Sequence, residues 1–330
     1  MGRTRDVAAG QVLADAILAD DPPGSALVIG ESTGAVAAVL ANLGAEVHSW
    51  NRFAHAGQAA TAWAPDAKVE LAVVRLPKAR RALEMVLHIA AARLVPGGRL
   101  LLAGGNDEGA KSAGGTLSRV YGTVVKAGAR KHCRVWRGSD PIDAPRGDRS
   151  QWAERVEAGG MSWLSWPGLF AHGRLDGGTA LLLRAIPRLE PGARVLDFGC
   201  GAGVIGLSVA NRQPAVAYEG VDVDALAIAA AADNVPGGRF TLSDGLPPHT
   251  GDGYDLIVSN PPLHTGVSRD ARPLGDLLIG APKRLAPKGV LLLVTQKGVA
   301  LSKPLEAGFQ RVDLAAERGG FRVWRAQAPR

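Results

Sequence analysis

Asn260-Pro261-Pro262 ends an apolar run, Tyr254-Asp255-Leu256-Ile257-Val258, that reads as a buried strand. A polar side chain at the carboxyl end of such a strand lies where open α/β sheets place ligands. Two successive prolines fix the backbone there and remove its amide donors. The Asn260 side-chain oxygen and the Pro261 carbonyl remain as acceptors, and a planar NH2 group can donate one proton to each. The chemistry served is the orientation of an amino nitrogen. Asn-Pro is also an ordinary turn signal, so the weight of this tripeptide depends on what lies upstream.

About sixty residues earlier, Val195-Leu196-Asp197-Phe198 leads into Gly199-Cys200-Gly201-Ala202-Gly203, and residues 204–210 read as a helix. Glycine lets the backbone turn sharply and a ligand come close. A Gly-x-Gly turn between strand and helix suits a nucleotide, dinucleotides included. The next strand, Tyr218-Glu219-Gly220-Val221-Asp222, ends in an acid that suits the two hydroxyls of a ribose. The plainer role for Asp222 is to N-cap a helix starting near Ala225.

In this order the segments resemble the class I S-adenosylmethionine-dependent methyltransferases over roughly residues 165–330. Phe240-Thr241-Leu242-Ser243-Asp244-Gly245 matches that family's third segment, and Arg318-Gly319-Gly320 its closing antiparallel hairpin. The resemblance implies S-adenosylmethionine as cofactor, with Gly199, Gly201 and Gly203 along its methionine side. Asp222 would hold the ribose, Asp244 the adenine, and Asp197 the first loop or the cofactor's amino group.

Two longer stretches, Trp166 to Thr179 and Asn260-Pro261-Pro262-Leu263-His264-Thr265-Gly266, resemble the RsmC and RlmG type of ribosomal RNA guanine-N2 methyltransferases. That resemblance implies a loop around Phe170 and Asp176 enclosing the cofactor. It makes Asn260, Pro261 and Pro262 the catalytic segment, with Asn260 bordering the cofactor, and sets Leu263 and His264 against the substrate. Leu263 departs from the family's usual Phe, whose ring would stack on the target base. Phe170 is an alternative platform, unless it is simply core. His264 either orients substrate or makes a loop hydrogen bond.

The first half echoes the second. Residues 26–34 follow the pattern of 194–203, 71–78 that of 255–262, 94–102 that of 285–293, and 132–137 that of 320–325. This is an internal duplication. Each copy alternates strands and helices, so the expected fold is α/β, with two tandem Rossmann-like methyltransferase domains. Each is a mostly parallel sheet with a C-terminal antiparallel hairpin. In the first copy Val28 stands for Asp197, Ser32 for Gly201, Asn51 for Asp222 and, in this alignment, Leu76 for Asn260. The first copy is therefore expected to keep the fold without the activity. The domains are expected at 1–140 (degenerate, serving RNA recognition and support) and 156–330 (catalytic). A linker rich in Gly, Pro and charge spans 141–155.

A formal net charge of +7 in 330 residues favours an anionic partner. Two basic groups in the first copy are candidates for phosphate contact: Arg75, Lys78, Arg80 and Arg81, then Arg130, Lys131, His132, Arg134 and Arg137. Otherwise they are solvated faces. The two cysteines, Cys133 and Cys200, allow no disulfide framework or metal cluster within a domain, and no metal is expected. No signal-peptide core follows the N-terminus and no apolar run reaches membrane-spanning length, so a cytoplasmic monomer without membrane contact is expected.

The function expected from all this is methylation of a guanine N2 amino group in ribosomal RNA, most directly 16S RNA of the small subunit or an assembly intermediate. A paired guanine is inaccessible, so the base must be unpaired or flipped. Protein glutamine N5-methylation is the first alternative; that family has Tyr after the prolines and a helical N-terminal domain, unlike this sequence. A noncatalytic RNA-binding assembly factor is the second, opposed by the intact Asn260 and glycine loop. A nicotinamide-dependent dehydrogenase is opposed by Asn260-Pro261-Pro262.

Overall fold

Strands buried on both faces read as continuous apolar runs, as in Ala26-Leu27-Val28-Ile29 and Leu71-Ala72-Val73-Val74. The computed structural model describes residues 2–54, 59–248, 253–261 and 272–330, and places both runs inside a sheet. The first unit runs α1 (Gly2–Leu18), β1 (Ser25–Ile29), α2 (Ala35–Asn42), β2 (Glu46–Trp50), β3 (Val69–Arg75), α3 (Arg80–Arg93), β4 (Leu94–Gly105), α4 (Ala110–Leu117), β5 (Tyr121–Arg130) and β6 (Cys133–Pro141). Its strand order is β2-β1-β3-β4-β6-β5, parallel except for β6, which pairs antiparallel with both β4 and β5. Helix α1 buries Ala9, Val12, Leu13 and Ile17, a spacing that forms one apolar stripe.

The second unit runs β7 (Glu154–Ala158), β8 (Met161–Ser165), α5 (Gly177–Ala185), β9 (Arg194–Phe198), α6 (Val204–Arg212), β10 (Ala217–Asp222), α7 (Ala225–Asn234), β11 (Arg239–Leu242), β12 (Tyr254–Ser259), α8 (Arg272–Gly280), β13 (Leu285–Gln296), α9 (Ser302–Glu306), β14 (Phe309–Arg318) and β15 (Phe321–Pro329). Its seven-stranded order is β11-β10-β9-β12-β13-β15-β14, again closed by an antiparallel hairpin. Alternate residues feed two cores: Leu196, Ile257 and Leu291 enter one, while Val195, Leu256 and Leu292 enter the other. The α/β fold with two mostly parallel sheets is thus as expected from the duplication.

The chain divides between Ala153 and Glu154, within the 141–155 segment. The first unit comprises Met1–Arg52 and Gly57–Ala153, and the second Phe53–Ala56 and Glu154–Arg330. The Gly/Pro-rich segment is pinned by two indoles. Trp63 Nε1 donates to Gly147 O at 2.8 Å, and buried Trp152 donates to Arg146 O at 3.0 Å beneath the Arg146 guanidinium. Among the described residues no helix is long and apolar enough to cross a membrane, and no cluster of side chains is arranged to hold a metal ion.

Candidate active site

Parallel pairing of β9 with β10 and β12 brings their carboxyl ends to one edge of the sheet. Beyond Phe198 the chain turns through Gly199 (φ 78°), Gly201 (φ 54°) and Gly203 (φ 77°), left-handed conformations that favour glycine. Gly203 caps α6, whose N-terminal amides carry partial positive charge.

Asp222 shapes this loop. Its carboxylate accepts the Gly201 N–H at 2.8 Å and the Asp224 N–H at 2.9 Å. Asp224 is the N-cap of α7, accepting from Leu226 N at 3.0 Å, so Asp222 is not used up as a cap. Burial pushes the Asp222 carboxyl up to about 6, against the two backbone N–H bonds.

Asp197 is fully buried in β9. Burial pushes it up to about 7; the Tyr218 hydroxyl, donating at 2.6 Å, opposes the rise and Asp222 adds to it. Its Oδ1 is buried without a hydrogen-bond partner. An orphaned carboxylate oxygen beside a glycine turn and a second acid fits a ligand bearing an ammonium group and vicinal hydroxyls. The Cys200 thiol is raised well above its usual range, by burial first and then by Asp197 and Asp222, so it stays protonated.

The end of β12 is fixed to β9 by Ser259, whose buried hydroxyl donates to Phe198 O at 2.7 Å. Asn260 follows. Its Nδ2 donates to Asp176 Oδ2 at 3.0 Å and to Thr179 Oγ1 at 2.8 Å. A carboxylate only accepts, so the amide nitrogen must face Asp176 and Oδ1 is left as the free acceptor. Asp176 is also the N-cap of α5, accepting from Thr179 N at 2.9 Å.

One pocket gathers Phe170, Asp176, Thr179, Gly199, Gly201 and Asn260. Phe170 is 53% exposed, so it is not core. Gly203, Asp197 and Asp222 lie beside this pocket in the loop and strands that shape it, and Asp244 is exposed after β11. Pro261 is buried; Pro262, Leu263 and His264 lie outside the described residues.

Sequence reasoning missed Trp163, a buried wall of the same pocket, and Asn234. Asn234 Nδ2 donates to Ala202 O at 2.9 Å and Leu164 O at 2.7 Å, and its Oδ1 accepts from Leu164 N at 2.7 Å, tying the glycine loop to β8. No local pattern announces either. Thr179 was legible in principle, three residues after a capping Asp.

In the first unit the sheet register corrects one correspondence. Val73 pairs with Val28 and Leu101, as Val258 pairs with Asp197 and Leu292. Two residues onward, Arg75 rather than Leu76 occupies the place of Asn260. Arg75 is 8% exposed; its Nη2 donates to both Glu108 oxygens at 2.8 Å and it pairs with Asp6 of α1 at 3.0 Å. Arginine has no acceptor, so an amino group cannot be received there. Arg75 also leaves the expected phosphate-binding group, because its charge is buried and neutralised. Lys78, Arg80 and Arg81 remain exposed, with Arg81 3.5 Å from Glu84. In the second basic group Arg130 and Arg137 are paired with Asp15 and Asp20.

The family model described as methyltransferase small domain matches residues 160–325, and its N-terminal counterpart matches residues 22–156. The ribosomal RNA small subunit methyltransferase C of Pseudomonas entomophila (strain L48) is 36% identical over 270 residues, 79% of this chain and 80% of that one. The protein of the same name from Hahella chejuensis (strain KCTC 2396) is 32% identical over 325 residues, 92% of this chain and 94% of that one. The T. thermophilus 16S rRNA N2 G1207 methyltransferase (RsmC), solved in complex with AdoMet and guanosine, shares the fold with a TM-score of 0.79 at 23% identity, over 97% of this chain and 91% of that one. With both halves matched and Asn260 set beside the glycine loop, the chain belongs to the methyltransferase small domain family, among the ribosomal RNA small subunit methyltransferase C proteins.

Proposed function

We propose that this protein methylates the exocyclic N2 amino group of a guanine in 16S ribosomal RNA, with S-adenosylmethionine as methyl donor. The observation that carries this reading is the fixed amide of Asn260, which turns its oxygen to an incoming NH2 group. The relatives' shared name and the target printed for the T. thermophilus protein support the class of substrate.

When bound, the cofactor supplies an activated methyl group. The glycine loop with Asp197 and Asp222 fits it, through acceptors for ammonium and ribose hydroxyls. Asp244 is proposed for the adenine side. Asn260 Oδ1 and the Pro261 carbonyl accept the two N–H bonds of the target amine. That orients the nitrogen lone pair and stabilises positive charge developing there. No carboxylate base is needed before attack, because the proton can leave afterwards. Leu263, His264 and Phe170 are proposed to border the base. Lys78, Arg80 and Arg81 are proposed for RNA phosphate, in a protein acting as a monomer on the small subunit or its precursor.

Glutamine methylation is disfavoured by the first unit, a second α/β sheet where that family has a helical domain. The deciding experiment is methyl transfer to 16S RNA and to small subunits lacking the modification, with nucleoside analysis. N2-methylguanosine is the expected product; its absence with both substrates refutes the reading.

A further inference from the structure

Arg174 stands in the wall of the pocket that holds Asn260. It is exposed, and among the described residues its guanidinium makes no ion pair. The acids around it are engaged otherwise: Asp176 holds Thr179 and Asn260, and Asp222 holds Gly201 and Asp224. Those carboxylates keep their charge, but neither pairs directly with Arg174, so its guanidinium fork stays open to a ligand at the rim.

The loop that presents Arg174 is held in place. Ala171 adopts a left-handed conformation (φ 51°), and its carbonyl accepts the Arg174 N–H at 3.0 Å. Between them, His172 sets Nδ1 at 3.0 Å from Ser165 Oγ and Nε2 at 3.2 Å from Glu154 Oε2. A strained residue persists only where its surroundings over-determine it, so this turn is built to present what flanks it. What flanks it is the exposed ring of Phe170 on one side and Arg174 on the other.

A guanine whose amino group reaches Asn260 brings its own sugar and phosphates to the rim. The amides at the N-terminus of α6 would offer the cofactor's carboxylate a separate partner. A guanidinium fork matches phosphate oxygens in two parallel hydrogen bonds. We propose that Arg174 binds a phosphate of the target nucleotide itself, so the site recognises a nucleotide in a strand rather than a free nucleoside. This rests on the guanine reading above.

The test uses the full chain and two inhibitors of methyl transfer to 16S RNA: guanosine and guanosine 3′,5′-bisphosphate. Wild type should be inhibited about tenfold more strongly by the bisphosphate, as one charge-assisted phosphate contact implies. Arg174→Ala should abolish that preference and Arg174→Lys should keep part of it. The cofactor Kd, by calorimetry, should move less than about twofold. Equal inhibition of wild type by both probes overturns the proposal, as does a preference that survives in Arg174→Ala. A marked rise in cofactor Kd reassigns Arg174 to the cofactor and also overturns it. Failure of wild type to methylate guanine in RNA at all refutes the underlying reading, and is seen before either inhibitor is added.

Discussion

Asp176 Oδ2 accepts a hydrogen bond from Asn260 Nδ2 at 3.0 Å while capping α5 through Thr179 N at 2.9 Å. One carboxylate therefore sets the start of a helix and the orientation of an amide 84 residues away. Asp176→Ala should lose both, lowering stability by about 1 kcal/mol for the missing cap and lowering kcat about tenfold or more as the amide turns freely. Asp176→Asn retains a cap acceptor but admits the flipped amide. Thermal melts and kcat measured together separate the two roles: the Asn variant should keep its Tm and still lose turnover.

Asn260→Ala removes the side-chain acceptor proposed for the target amine. The expected loss is roughly 10²–10³-fold in kcat, with a much smaller change in cofactor Kd. Asn260→Asp keeps an acceptor and should retain part of the activity, although its carboxylate repels Asp176. Single-turnover transfer to 16S RNA decides; near-wild-type turnover by the Ala variant would leave Asn260 as a turn residue.

Asp222→Ala should weaken S-adenosylmethionine binding at the one site expected per chain. Part of the loss comes from the Gly201 N–H, held at 2.8 Å by the carboxylate that is removed. Calorimetry should give a stoichiometry near one for wild type. Two sites per chain, or undiminished affinity in the variant, counts against the assignment.

Stability should depend on pH through Asp197 and Asp222. A carboxyl raised in the folded state binds its proton more tightly there than in the unfolded chain. Its contribution is complete below the unfolded value near 4 and is lost as pH rises through about 6 for Asp222 and about 7 for Asp197. The ligand-free protein should therefore lose stability across this window, and Asp197→Asn should flatten the profile. Melts of both proteins from about pH 5 to 8 test this. Because an ammonium group favours the ionised acids, cofactor affinity should rise over the same window.

Lys78 and Arg80 are exposed, just before and at the start of α3, and are the residues proposed for RNA phosphate. Lys78→Ala/Arg80→Ala should weaken RNA binding. The slope of log K against log salt should fall by about 0.7 for each single-strand phosphate that the variant no longer neutralises. An unchanged slope assigns these residues to a solvated face.

The tandem fold, its hairpins and the glycine loop were legible because each rests on a local pattern: apolar runs, Gly-x-Gly, Asn-Pro-Pro. The partners of Asn260 were not, since the bonds to Asp176 and Thr179 cross more than 80 residues. Arg75 was misplaced for a related reason. A slip of one residue between the copies is invisible in an apolar run, and only pairing with β1 and β4 resolves it. The anchoring of the 141–155 segment was not legible, because Gly and Pro signal turns while buried Trp152, whose indole donates to Arg146 O, lies at its far end.

Arg75, Glu108 and Asp6 bear on the history of the first copy. Restoring asparagine at position 75 would leave Glu108, 11% exposed, without the guanidinium that neutralises it, and would strip α1 of its tie through Asp6. Breaking such a buried pair from one side typically costs about 3–5 kcal/mol, a large share of a domain's stability. Val28, Ser32 and Asn51 would still be wrong for a cofactor. A step back toward asparagine at position 75 thus passes through a destabilised intermediate. The ion cluster that closed this position in the first copy acts as a ratchet: it holds α1 to the sheet, and a return to asparagine must first give that up.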